Sequence, residues 1–105
     1  MDTLKLFGKR IKELRKKNGY TQEQLSEKLG LFQKQIGNIE TGTCFTTINN
    51  LEKLSEIFEL DIKDLFDFQH LKSRKMILDE IDKLLEASTD NELQTIYRII
   101  NSIKK

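Results

Sequence analysis

The chain has 105 residues, of which 18 are Lys or Arg and 17 Asp or Glu, for a net charge of +1 at neutral pH. That length suits one domain, or one small domain with an appendage, and it can bury a single core without disulfides or metal. A lone cysteine, Cys44, excludes an internal disulfide and suits a reducing compartment, and no apolar run approaches the roughly 20 residues of a membrane span. With no apolar leader in MDTLKLFGKR, the expectation is a soluble, cytoplasmic protein with no membrane partner.

Taken in chain order, Leu4, Phe7, Ile11 and Leu14 recur at helical intervals, so residues 3–18 read as an amphipathic helix that Asn18-Gly19 stops. Residues 1–20 carry seven basic and two acidic side chains, a local +5, whereas residues 21–70 carry four against nine, a local −5. Local sign matters more than total charge for attraction to phosphate. The same distribution also fits an ordinary solvated surface, so charge alone decides nothing. Thr21 and Gln24 form a T-x-x-Q capping box that opens a second helix over 21–29, with Leu25 and Leu29 on one face and Gly30 closing it. Leu31, Ile36 and Ile39 form the apolar stripe of a third helix over 32–41, ended by Gly42. Its outer face holds Gln33, Lys34, Gly37, Asn38 and Thr41, with no carboxylate among them. Thr46 or Thr47 can cap a fourth helix whose inner face is Ile48, Leu51, Leu54, Ile57 and Phe58. Asp61 is placed to cap a short fifth helix running through Phe66.

Beyond Phe68, Leu71, Ile77, Leu78, Ile81, Leu84 and Leu85 mark a helix over 71–87. Thr89 and Glu92 make a T-x-x-E box for another reaching about residue 103, with Leu93, Ile96, Tyr97, Ile100 and Ile103 inside. Such a helical hairpin is too small to form a core of its own. Either it folds back on the preceding helices or it pairs with a second copy. Pairing is favoured, with Leu78, Ile81, Leu85, Ile96 and Ile100 as the dimerisation surface.

The segments GKRIKELRKKNGYTQEQLSEKLG, IGNIETG and INNLEKLSEIFELDIKDLF resemble the Cro and phage-repressor helix-turn-helix family, also called the XRE family, from about Phe7 to Phe66. The resemblance implies an all-α protein, with a five-helix lambda-repressor-like DNA-binding domain over 1–68 and the hairpin over 69–105. It implies double-stranded DNA as partner and the helix at 32–41 in the major groove, with Gln33, Lys34 and Asn38 at base edges. Gln and Asn can pair bidentately with adenine, while Lys favours guanine. Phosphate contacts are implied for Arg10, Thr21, Gln22, Thr41 and Thr43, and a partly buried ion pair for Arg15 and Glu40. Without the resemblance, the same groups read as a polar face touching only water, and Arg15 and Glu40 as unrelated surface charges.

Three departures bear on the target. Phe32 stands where the family has a capping Ser or Thr, and its ring is expected to bury against the turn rather than meet a thymine methyl. Gly37 inside the third helix costs roughly 1 kcal/mol relative to Ala, either to let a DNA backbone approach or as a tolerated defect. Thr43-Cys44-Phe45 lacks the Lys or Arg often found in that loop. Other chemistry is thin: His70 and Cys44 are two possible metal ligands far apart in sequence, so neither metal nor cofactor nor catalysis is expected. The function these features imply is a homodimeric transcriptional repressor on a palindromic operator. The rivals are the antitoxin of a toxin–antitoxin pair and a protein-interaction module that engages a partner through the hairpin.

Overall fold

In the computed structural model, which describes residues 3–104, the first helix, α1, runs over Thr3–Lys17. α2 spans Gln22–Leu29, α3 Gln33–Glu40 and α4 Ile48–Phe58, followed by 3-10 turns at Ile62–Phe66 and Gln69–Leu71. α5 covers Arg74–Glu86 and α6 Asp90–Ile103, and there is no strand among the described residues. The chain divides into two compact units, 1–71 and 72–105. No described helix is long and apolar enough to cross a membrane.

The first unit is closed by local signals at each helix end. The Thr21 hydroxyl accepts from the Gln24 amide at 3.1 Å, and the Gln24 side-chain oxygen accepts the Thr21 amide at 2.9 Å. Gly30 ends α2 at φ 71°, a left-handed conformation that needs no Cβ. Of the two candidate caps for α4, Thr47 takes the backbone role, accepting the Asn50 amide at 3.2 Å, while Thr46 accepts from the Asn50 side chain. At the other end of α4 Glu59 adopts φ 55°, an unfavourable region for a residue with a side chain.

The periodic apolar positions converge on one core. Leu6, Phe7, Ile11, Leu25, Ile36, Leu54 and Leu65 are essentially removed from water. Each contributes about 1.5–3 kcal/mol by burial. α1 crosses α3 at Gly8, where an added Cβ would lie 2.3 Å from the Ile39 carbonyl oxygen and 2.6 Å from that of Glu40. Glycine therefore sets how closely the two helix backbones approach. Phe7 stacks edge-on to Phe45 at 4.9 Å between centroids and tilts against Phe66 at 5.2 Å.

The fifth helix, its cap and the inner face of α4 depart from expectation. The fifth helix is a 3-10 turn: the Asp64 amide bonds the Asp61 carbonyl at 3.0 Å and the Asp67 amide bonds that of Asp64 at 3.2 Å. Asp61 gives no side-chain cap, and the Asp64 carboxylate instead accepts the Asp61 amide at 3.2 Å. Five residues cannot offset α-helical nucleation, whereas this tighter turn still carries Leu65 to full burial. Ile48, assigned to the inner face of α4, is 72% exposed, because its first turn lies beyond the edge of the core.

In the second unit Ser73 caps α5, accepting the Met76 amide at 3.2 Å. Thr89 and Glu92 complete their reciprocal box across 3.2 and 2.9 Å. The Thr89 amide and hydroxyl hold the Glu92 carboxyl below its ordinary pKa. Neither helix buries a residue, although Ile103 and Tyr97 were expected inside; they are 74% and 68% exposed. Their periodicity correctly marks an apolar face, but within this unit too little surface opposes it.

Candidate nucleic-acid interface

α3 presents its polar face because Ile36 and Ile39 are drawn inward and Gly8 lets α1 seat behind it. Gln22, Gln33, Lys34, Gly37, Asn38 and Thr41 line one shallow surface depression. Residues from α2, from α3 and from its C-terminal end are thereby brought together. Gln33, Lys34 and Thr41 are exposed, and Gly37 and Asn38 are half-buried. A Cβ on Gly37 would meet nothing nearer than the Gln22 side chain at 3.9 Å, so the protein itself has room for one.

Behind this face lies a buried ion pair. Arg15 donates from Nε to Glu40 at 2.6 Å and from a terminal nitrogen to the other carboxylate oxygen at 3.0 Å. Its remaining terminal nitrogen donates to the Tyr20 carbonyl at 2.9 Å. The hydrogen bonds to Glu40 raise the Arg15 pKa further above its usual value, against the opposing effect of burial. Gln22 Nε2 also donates to Glu40, at 3.2 Å. One carboxylate at the end of α3 therefore locks α1 and α2 to it with fork geometry. Such a pair fixes orientation more than it adds stability.

The hydroxyl candidates differ in what they can still donate. Thr21 uses its oxygen as an acceptor for the cap, which leaves its proton for an anion. The Thr41 and Thr43 hydroxyls bond each other at 3.0 Å, which takes one of their two protons. The other can reach the Asn38 carbonyl, at 3.3 Å from Thr41, or an incoming oxygen.

Arg10 is corrected. Its Nε and one terminal nitrogen donate to the Asp64 carbonyl at 3.0 and 2.9 Å, and the other donates to Glu13 at 2.7 Å. The guanidinium is turned into the domain, binding α1 to the 3-10 turn, and is not presented to a phosphate. His70 completes that cluster with Nε2 2.9 Å from both Glu13 oxygens. Burial pushes the Glu13 carboxyl up, but hydrogen bonds and charge from His70 and Arg10 outweigh it and hold the pKa below the ordinary value.

Phe32 is corrected as well. Rather than burying against the turn, its ring is 80% exposed. A benzyl group cannot cap a helix; the Gln35 amide is met instead by the Phe32 carbonyl at 3.0 Å, and Gln35 Oε1 accepts the Phe32 amide at 2.8 Å. The close approach at Gly8 does not follow from the apolar pattern of α1. A glycine inside an otherwise strong helix, adjoining Phe7 on its apolar face, was the available signal.

A family profile described as a helix-turn-helix domain matches residues 8–68. The control protein C.BamHI of Bacillus amyloliquefaciens is 36% identical over 64 residues, covering 60% of this chain and 79% of that protein. The crystal structure of the restriction-modification controller protein C.AhdI from Aeromonas hydrophila superposes with a TM-score of 0.56 at 32% identity, covering 59% of this chain and 94% of the controller. A chain of the SinR–SinI complex superposes with the same TM-score, 0.56, at 23% identity over 93% of this chain and 97% of its own, a likeness of fold. Other curated relatives are longer, and the chain spans 33% and 60% of two of them.

Proposed function

The chain belongs to the helix-turn-helix family of transcriptional regulators, and from that premise we propose a homodimeric repressor that reads a palindromic operator through α3. The observation that carries this reading is the convergence of Gln22, Gln33, Lys34, Asn38 and Thr41 on one carboxylate-free surface. Gln33, Lys34 and Asn38 would address base edges in the major groove. Thr21, Gln22, Thr41 and Thr43 would hold the flanking phosphates, with the amino end of α2 directed at the anion. In vitro selection of bound fragments, followed by mobility shift, tests it. Asn38→Ala is expected to weaken the selected site by about 5- to 150-fold while sparing nonspecific DNA. Equal losses on both would remove Asn38 from base readout.

The hairpin supplies the second copy. Leu78, Ile81 and Ile100 are 40–46% exposed, and Leu85, Ile96 and Ile100 line an apolar groove with Leu93 and Tyr97. Helices of 13 and 14 residues are marginal without a partner for such a face. A two-fold dimer would cover it and bring two α3 helices to the two half-sites of a palindromic operator. Ile81→Asp in the full chain should shift sedimentation to the monomer; an unchanged distribution would reject the hairpin as the interface. The same exposed groove favours a second reading, in which a different protein covers it, as in an antitoxin. A chain that stays monomeric at high concentration would point there.

A further inference from the structure

Phe32 carries an inference that rests on the DNA-binding reading and extends it to specificity. Its ring is the most exposed large apolar side chain among the described residues, at 80%. The fold does not explain it: the ring buries almost nothing, and it occupies an N-cap where Ser or Thr would add a side-chain acceptor that Phe lacks. The backbone at Phe32 is extended, with φ −81° and ψ 150°, and its amide is fixed by Gln35 at 2.8 Å. The ring therefore projects from a defined point, immediately ahead of Gln33 and Lys34 at the amino end of α3. In the major groove nearly every base-edge group is a donor or an acceptor, and the apolar exception is the thymine 5-methyl.

We propose that Phe32 reads a thymine methyl, making it a specificity-determining residue at the head of the recognition helix. The ring leaves water only when α3 enters the groove, so the energy absent from the folded state appears on binding. Removing a single methyl from this contact should weaken binding about fourfold for each half-site.

The test uses the full chain and the operator recovered by in vitro selection. Each thymine is replaced in turn by deoxyuridine, which differs only by that methyl, and affinity is measured for the wild type and for Phe32→Ser. Serine can cap α3, so this variant should fold at least as well as the parent, which thermal melting verifies. The expected result is one thymine per half-site at which the wild type loses about fourfold and Phe32→Ser loses nothing. If the two proteins show the same deoxyuridine profile at every thymine, Phe32 does not read the methyl and the proposal falls, while DNA recognition by α3 stands. If selection enriches no sequence at all, the DNA-reading premise fails, and this inference fails with it.

Discussion

The same substitution at two glycines should act with opposite sign. Gly8 and Gly37 both lie inside helices, and alanine is favoured over glycine there by about 0.8–1 kcal/mol when nothing else changes. At Gly37 nothing else does, since the nearest atoms to a new Cβ are the Gln22 amide group at 3.9 Å, an ordinary contact. Gly37→Ala should therefore stabilise the protein by about 0.5–1 kcal/mol. At Gly8 the new Cβ would lie 2.3 Å from the Ile39 oxygen and 2.8 Å from the Glu40 carbonyl carbon. Those are backbone atoms at the end of α3, which cannot rotate aside, so α1 and α3 must separate by roughly 1 Å. Overpacking of that kind costs about 1–3 kcal/mol, at the upper end when backbone must move, and it exceeds the propensity gain. The separation would also pull on the Arg15–Glu40 pair, whose 2.6 Å bond spans the same two helices. Urea denaturation followed by far-ultraviolet circular dichroism separates the cases, with midpoints moving in opposite directions at unchanged m-value. If Gly8→Ala stabilised the protein as Gly37→Ala does, the close approach of α1 and α3 would be wrong.

Arg10→Ala should cost about 1.5–3 kcal/mol of stability through lost charge-assisted hydrogen bonds to Asp64 and Glu13, and leave the salt dependence of DNA binding as it was. A salt slope flattened by about one unit would show that Arg10 meets a phosphate. Glu13 has a folded pKa below its ordinary 4.5, so its contribution is present above that pH and is lost as pH falls through the lower folded value. The stability difference between wild type and Glu13→Gln should accordingly shrink on acidification below about pH 4.5, and a gap that widened there would contradict the cluster. Glu59→Gly should raise stability by about 1 kcal/mol by relieving its left-handed backbone at φ 55°, and a destabilised variant would show that the Glu59 side chain makes a contact outweighing the strain.

A residue's surroundings departed from its linear pattern mainly where its partner is far away in the chain. The capping boxes at Thr21 and Thr89, the glycine stop at Gly30 and the apolar stripes of α1 to α3 each depend on groups within a few residues of one another. Local chemistry dictates them before any tertiary contact forms, so the sequence alone determined α1 to α4, α5 and α6, the turn between α2 and α3, and the polar identity of the outward face. The direction in which Arg10 points depended on a carbonyl 54 positions away. The exposure of Ile48 was likewise decided by where the core surface ends. Gly8 had no visible partner until α3 crossed it. Tertiary packing alone settled these, because burial and close approach are properties of two surfaces meeting, and a linear pattern specifies only one of them.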